Sequence, residues 1–295
     1  MKTNTRAIVA MDLSQTDQYL LQIIKQVQQP LGIETAYFLH VMPDFTVPEN
    51  VDVEFQKMFA PDQPVDEKVS ERLQNSIQKE LGDLKGFETF VDVREGKPYQ
   101  KLVHWIDVKE ADLLILGNKT NSGGSGVTAR RVARRAESNI LLVPDVDVKD
   151  IKSILVPVDF SENSARAIRT ALKMAPLSSG IAINLLYVID MPPAEYYVGA
   201  SRDAGLRGLL KESAREAFQR FMKEFDLDEH RFKVHFVENE YSNVAAHINE
   251  FDKEQNTDML IMGAQGHSAL ERFIFGSVTE RLVELEKTHP ILVVR

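Results

Sequence analysis

The chain of 295 residues contains no cysteine. Without thiols the protein forms no disulfide and offers no thiolate ligand to a metal ion. Its seven histidines are scattered without the spacing typical of a metal site, so no metal ligands are assigned. A chain free of cysteine fits a reducing compartment, and we expect the protein to be cytoplasmic.

Long hydrophobic runs are also missing, since no segment reaches 18 consecutive apolar residues. The first apolar run, Ala7–Met11, is only five residues long and ends at Asp12. A run of this length is too short for the core of a signal peptide. We therefore expect neither export nor a membrane partner.

Positive charge is in the minority, with 35 Lys and Arg against 44 Asp and Glu and a net charge of -9. A protein that binds nucleic acid without sequence preference needs a basic face for the phosphate backbone, so this class is disfavoured. The remaining composition, 43% hydrophobic and 27% charged, is typical of a globular protein with a sizeable core.

The sequence contains an internal repeat. AIVAMDLS (Ala7–Ser14) matches ILVPVDFS (Ile154–Ser161), which begins 147 positions later. Three further matches follow in the same order: YFLHVMPD (Tyr37–Asp44) with LLYVIDMP (Leu185–Pro192), ADLLILG (Ala111–Gly117) with TDMLIMG (Thr257–Gly263), and NILLVP (Asn139–Pro144) with PILVVR (Pro290–Arg295). Repeats in one order indicate a duplicated domain. We expect domains at 1–147 and 148–295, joined by a short connecting segment, DVDVKD (Asp145–Asp150).

Each copy alternates two kinds of pattern. Short runs of Val, Ile and Leu are typical of strands buried on both faces of a parallel sheet. Between them lie apolar residues at helical spacing, as after Ser161, a predicted helix N-cap. The sequence therefore predicts an α/β fold with two tandem five-stranded parallel-sheet domains, each with helices on both faces. Trp105, in the third predicted helix, is expected in the core.

One segment near the end of the chain has an unusual distribution of glycine: GAQGHSALERFIFGS (Gly263–Ser277). It joins a predicted strand to a helix whose first residues, SVTE, form a capping box with Ser277 as the cap and Glu280 three residues on. Glycines beside a helix N-terminus suit a phosphate, but glycines also occur as ordinary connections between strands and helices. The segment is neither a Rossmann nor a P-loop motif.

The segments VPVDFS, LLYVID, IMGAQG and GSVTERL, in this order, resemble the universal stress protein family. The whole chain looks like a tandem member, with an adenine nucleotide alpha hydrolase-like (Rossmann-like) fold. The ATP-binding branch of that family has the motif G-x2-G-x9-G-S/T, and Gly263, Gly266, Gly276 and Ser277 fit it without a gap. The resemblance implies that the second half binds ATP or another adenine nucleotide, with Mg2+ as a further candidate.

The resemblance also implies a role for residues on the other strands. The aspartate matched by Asp159 contacts adenine and ribose, and the valine matched by Val188 lies against the base. His267, in the glycine segment, is either a phosphate contact or an exposed loop residue. The complete set of candidate nucleotide-binding residues is Pro157, Val158, Asp159, Val188, Met262, Gly263, Gly266, His267, Gly276, Ser277 and Val278.

The first copy departs from this motif. Gly117 to Ser125 spans 8 residues where Gly263 to Gly276 spans 13, and Thr120 stands where the second glycine would be. The strand-end residues Asp12 and Val41 are retained. We expect the first half to bind no ATP in the family manner, or to bind something smaller.

Three functions remain open: a stress protein with ATP as a regulatory ligand, a slow ATPase, and an interaction module that binds no nucleotide. Hydrolysis would require a cationic clamp on the γ-phosphate, for which Arg272 is the only candidate in the glycine segment. In the resembled family, last strands pair between domains. NILLVP is therefore expected to pair with PILVVR as an internal pseudo-dimer, and a homodimer is a further expectation.

A cluster of arginines follows the shortened loop of the first half. It consists of Arg130, Arg131, Arg134 and Arg135. Like charges at this spacing repel on a helix, which raises the question of an anionic partner. The alternative is a solvated face whose arginines pair with acidic side chains elsewhere.

Overall fold

The computed structural model describes residues 4–43, 65–119, 131–132, 135–191, 204–239, 243–266 and 275–295. The strands in these ranges are β1 (Thr5–Met11), β2 (Ile33–Met42), β3 (Glu88–Glu95), β4 (Leu113–Gly117), β5 (Asn139–Val143), β6 (Ser153–Pro157), β7 (Ala182–Asp190), β8 (Lys233–Asn239), β9 (Met259–Gly263) and β10 (Ile291–Val294). The helices are α1 (Thr16–Val27), α2 (Val65–Leu81), α3 (Pro98–Lys109), α4 (Glu162–Met174), α5 (Ala204–Glu224), α6 (Val244–Gln255) and α7 (Ser277–Leu285).

All ten strands form one sheet in the order β3-β2-β1-β4-β5-β10-β9-β6-β7-β8. Within β1–β5, and again within β6–β10, every pair of neighbouring strands is parallel. The two halves have the same internal order, so the repeat in the sequence is a repeat in topology. The predicted α/β fold with five parallel strands in each half is confirmed.

The two halves meet at a seam, where β5 and β10 pair in antiparallel fashion. Leu142 faces Ile291, and Leu141 faces Leu292. This is the pairing predicted between NILLVP and PILVVR. It turns two five-stranded sheets into one and removes two strand edges that would otherwise attract other chains.

Helices cover both faces of the sheet. One core contains buried residues of α1, α2, α4 and α5, and the other contains buried residues of α3, α6 and α7. Both cores include residues of β5 and β10, so each continues across the seam. Ser161 caps α4 as predicted, since its side chain accepts a hydrogen bond from Ser164 N. Trp105 is half-buried and packs at the border of the second core.

In the described ranges, the helices lack an apolar stretch long enough to cross a membrane.

Because the cores are continuous across the seam, we expect the halves to unfold together. Leu292 in β10 is 1% exposed, and Leu292→Ala should destabilise the whole chain by about 2–5 kcal/mol. Trp105 lies in the other half, so urea unfolding followed by its fluorescence tests whether the loss is transmitted. Its transition should move to lower urea together with the far-UV circular dichroism.

Leu177→Ala is the matched control, because Leu177 is 84% exposed and its truncation leaves no cavity. A Leu292→Ala protein whose tryptophan transition stayed at the wild-type midpoint would show that the halves are energetically independent.

Candidate functional site

A cavity of about 380 Å3 opens at the carboxyl ends of β6, β7 and β9. This is where the strand order of the second half reverses, the usual ligand position in open α/β sheets. Ten of the eleven candidate residues line the cavity: Pro157, Val158, Asp159, Val188, Met262, Gly263, Gly266, Gly276, Ser277 and Val278. His267 lies outside the described residues. Residues from four separate segments of the chain thus meet at one place.

Asp159 follows β6 and is held by its own loop. Its Oδ1 accepts hydrogen bonds from Ser161 N at 3.1 Å, Ser161 Oγ at 2.6 Å and Ser164 Oγ at 2.5 Å. Phe160 between them has a φ of 64°, a left-handed conformation that is unusual for a bulky residue. The local network therefore fixes the carboxylate at the wall of the cavity.

The three glycines of the motif differ in what surrounds them. An added Cβ at Gly263 would lie 2.8 Å from Asn163 Cβ, and one at Gly266 would lie 2.4 Å from Asp159 Oδ2. At Gly276 the nearest atom of the described residues, Gln265 Cα, would be 3.5 Å away, which is an ordinary contact. A side chain at Gly263 would thus collide with Asn163, and one at Gly266 with the Asp159 carboxylate, whereas the described residues leave room for one at Gly276.

The start of α7 corrects the predicted capping box. Gly276 is the N-cap and Ser277 is the first helical residue, so the helix end has no side-chain cap. Glu280 therefore stands at the fourth helical position, one too far for a capping box. The sequence pattern misplaced the cap because glycine also adopts the extended N-cap conformation, here with φ −61° and ψ 152°.

The cap has a chemical consequence. A serine or aspartate at the N-cap would bond N–H groups of the first turn, whereas glycine has no side-chain oxygen to offer them. Thr279 instead directs its hydroxyl to Gly263 O at 3.0 Å, which ties the helix to the end of β9. The helix N-terminus at the cavity is therefore suited to a ligand with negative charge.

The cavity is also lined by eight described residues that the sequence did not identify. These are Ser164, Leu186, Tyr187, Asp190, Val244, Ile248, Gln265 and Thr279. Val244 and Ile248 stand one turn apart on α6, and their helical spacing could have placed them on one face but not at this cavity. Tyr187 stacks on Phe160 with ring centroids 4.3 Å apart. Burial raises the pKa of Tyr187, and the charges of Asp190 and Asp159 add to this, so the phenol stays neutral.

The described lining residues include two carboxylates, Asp159 and Asp190, and no lysine or arginine. Asp190 Oδ1 accepts a hydrogen bond from Asn239 Nδ2 at 2.7 Å. Among the residues described, positive potential at the cavity thus comes from the N-terminus of α7 rather than from cationic side chains.

The corresponding place in the first half is occupied by a side chain of the protein. Lys119, which follows β4 as Gln265 follows β9, bonds the carboxylate of Asp12 and donates to Ser14 Oγ at 2.7 Å. Burial would raise the pKa of Asp12, but the hydrogen bonds from Lys119 and Ser14 outweigh it and lower the pKa. The retained aspartate is therefore neutralised internally. The shortened loop, 120–130, and with it Thr120 and Ser125, lies outside the described residues.

A second carboxylate lies beneath this pair. Asp17, where the other half has Ser164, accepts hydrogen bonds from Asp12 N at 3.0 Å and Leu13 N at 2.8 Å. Burial raises the pKa of Asp17 to about 6, and the Asp12 charge contributes in the same direction. The first half thus has a buried acid where the second half has a serine.

The arginine cluster of the first half is only partly described. Arg131 and Arg135 are exposed, whereas Arg130 and Arg134 lie outside the described residues.

Known proteins match each half of the chain separately. A family model described as the universal stress protein family matches residues 3–144 and again 150–295. A universal stress protein of Methanocaldococcus jannaschii is 32% identical over 148 residues, covering 49% of this chain and 82% of the relative. Another from the same organism is 27% identical over 157 residues, covering 49% of this chain and 94% of the relative.

Solved structures of tandem length share the fold. A universal stress protein from Archaeoglobus fulgidus superposes with a TM-score of 0.58 at 16% identity, covering 98% of this chain and 96% of its own. A putative universal stress protein from Pseudomonas aeruginosa gives 0.59 at 12% identity, covering 99% and 92%. A family protein from Arabidopsis thaliana was solved with AMP bound; at a TM-score of 0.33, 14% identity and coverage of 47% and 90%, it says nothing specific about this chain.

The raised pKa of Asp17 predicts a pH dependence. Folding raises this pKa above its ordinary value near 4, so between about pH 4 and 6 the folded state binds more protons than the unfolded chain. The stability contributed by the protonated acid is present below pH 4 and is lost as the pH rises through 6. Asp17→Ser, which copies Ser164, should therefore stabilise the protein at pH 8 by about 1–3 kcal/mol.

Urea unfolding at pH 5 and pH 8 measures this gain. The matched control is Asp66→Ser, an exposed aspartate in the first turn of α2. The assignment would be contradicted if the free energy of unfolding of Asp17→Ser differed between pH 5 and pH 8 by as much as that of the wild type.

Proposed function

Because the chain belongs to the universal stress protein family, we propose that its second half binds ATP or another adenine nucleotide as a regulatory ligand. The observation that supports this is Gly276. Glycine is required neither by its φ of −61° nor by its described neighbours, which all lie at least 3.5 Å from an added Cβ, yet it lines the cavity at the start of α7. A residue without a side chain at this point leaves room for a ligand to approach the helix N-terminus.

The chemistry of the walls suits the parts of a nucleotide. Asp159 would accept hydrogen bonds from ribose hydroxyls. Val188 and Met262 would lie against the base, and Ser277 with the first N–H groups of α7 would hold phosphate oxygens. The nucleotide itself supplies negative charge at the helix start. A Mg2+ ion, if it accompanies ATP, would take ligands largely from phosphates and water.

A regulatory ligand is favoured over a hydrolysed substrate. Fast phosphoryl transfer uses a cationic side chain on the γ-phosphate, and the described lining has neither lysine nor arginine. Arg272 and His267 lie outside the described residues and stay candidates. The domain division at 1–147 and 148–295 is part of the same proposal, with one nucleotide site in the second domain.

The first half is proposed to bind no ATP. A nucleotide at Asp12 would have to displace the ammonium of Lys119, which bonds both Asp12 and Ser14. Its displacement would leave the carboxylate without its cation, close to the buried Asp17.

Calorimetric titration with ATP should give a stoichiometry near one per chain. Gly276→Ala fits the protein but places a methyl group in the cavity, so it should weaken binding by about tenfold or more, equivalent to about 1.4 kcal/mol. Gly208→Ala, in α5 with nothing within 4 Å of the added Cβ, is the control and should bind as the wild type does.

Two equal sites would contradict the proposal for the first half. If wild type bound no nucleotide, or if Gly276→Ala bound as tightly as wild type, the proposed cavity would be wrong. The first of these results would favour the interaction module.

Phosphate release measured on the same samples separates a binder from an enzyme. With no cation in the described lining, we expect turnover below about 1 per second, the lower end for kinases. Faster turnover that Gly276→Ala removes would make the protein an ATPase at this site.

A further inference from the structure

Three ionisable side chains meet at the edge of the sheet opposite the cavity, where β10 begins. Asp252 comes from the end of α6, Glu286 closes α7, and His289 precedes β10. Asp252 is 3% and Glu286 is 1% exposed, and the His289 side chain is 9% exposed. One ligand atom from each residue lies within 4.8 Å of the others.

Each carboxylate is fixed by one oxygen and presents the other to the histidine. Glu286 Oε1 accepts from Thr288 N and Thr288 Oγ, each at 2.5 Å, and from His289 N at 3.2 Å. Asp252 Oδ1 likewise accepts from the Thr257 hydroxyl. The remaining oxygens, Asp252 Oδ2 and Glu286 Oε2, lie 2.5 Å and 3.8 Å from His289 Nε2. The backbone and threonines thus orient both carboxylates towards one point.

With both carboxylates ionised, Glu286 Oε2 finds no hydrogen-bond partner among the described residues, although it is fully buried. A buried carboxylate oxygen without a partner costs free energy comparable to that of a lost hydrogen bond, and more when charged. Such an atom, beside an imidazole and a second carboxylate, leaves a position between them that a ligand could satisfy.

His289 has a hydrogen-bond partner at each ring nitrogen, Pro290 O at Nδ1 and Asp252 Oδ2 at Nε2. Its Nδ1 lies 3.3 Å from Pro290 O, a backbone carbonyl that can accept the ring N–H. With the proton on Nδ1, the lone pair of Nε2 points at the two carboxylates. A backbone carbonyl that fixes the tautomer in this way is typical of metal-binding histidines.

A divalent cation would balance the charge of the two buried carboxylates. Two buried carboxylates carry two negative charges, and one imidazolium compensates only one of them. A neutral imidazole with a divalent ion compensates both, whereas protons alone would require an imidazolium and a further proton shared by the carboxylates.

We propose that Asp252, Glu286 and His289 form a binding site for a zinc ion. One imidazole and two carboxylates are ligands that zinc accepts, with a fourth position for water. A tetrahedral site needs ligand atoms roughly 3.3 Å apart, so the contact between His289 and Asp252 would open slightly on binding. A cavity of about 350 Å3, lined in part by Asp252 and His289, gives access for the ion and its water.

The ion would bind two helices and a strand together next to the seam. Asn118, from the first half, donates to Val283 O at 3.1 Å and Glu286 O at 3.3 Å, so the end of α7 already contacts the other half. Zinc would add a second restraint at this junction, independent of any nucleotide.

The test uses the untagged full chain, freed of metal with a chelator and then incubated with zinc chloride. After gel filtration, metal analysis should find about one zinc per chain. His289→Ala should retain at least tenfold less, and His230→Ala, an exposed histidine, should match the wild type. Zinc should also raise the melting temperature of wild type by a few degrees, but not that of His289→Ala.

Glu286→Gln provides a second variant in case His289→Ala fails to fold, because the amide can still accept the Thr288 bonds while the charge is lost. It should also lose zinc. Wild type that retains no more zinc than Glu286→Gln would overturn the proposal and leave a triad balanced by protons. Retention of Mn2+ but not zinc would overturn the assignment to zinc.

Discussion

Two short strands, β5 and β10, meet in an antiparallel pair, and both halves of the sheet depend on this contact. Their residues are almost entirely buried, so each half on its own would expose an apolar strand edge. Pairing satisfies the backbone of both strands and merges the cores on either side of the sheet. The parallel strands fix the position of the cavity, and the seam fixes where that cavity lies relative to the other half.

Around their matching aspartates, the two halves share a backbone turn and differ in side chains. Leu13 and Phe160, at matching positions, share a left-handed conformation with φ of 61° and 64°. The aspartate before each bonds the serine after it. What differs is the surroundings of the carboxylate: Lys119 bonds Asp12, whereas Asp159 Oδ2 lies where a side chain at Gly266 would be. The proposed ligand site and its closed counterpart therefore share one backbone turn and differ in the side chains around the carboxylate.

The sequence predicted the fold class and the seam because both follow from repeated hydrophobic patterns. Ten of the candidate residues that line the cavity were also named in advance, but they came from the family resemblance and not from the spacing of residues alone. The sequence placed the cap of α7 one residue late, since glycine and serine both serve as N-caps. The contacts of Lys119 with Asp12 and of His289 with Asp252 were missed because they join residues 107 and 37 positions apart. Only the folded chain brings such pairs together.

The antiparallel seam also makes the two rims of the sheet different from each other. Strands of the two halves run in opposite senses, so their carboxyl ends emerge on opposite rims of the sheet. One rim holds the open cavity of the second half, and the other holds the Lys119–Asp12 pair together with the Asp252–Glu286–His289 cluster. A symmetric duplication would present the same chemistry to both sides. This chain presents two unlike faces, so a partner can distinguish one side of the protein from the other.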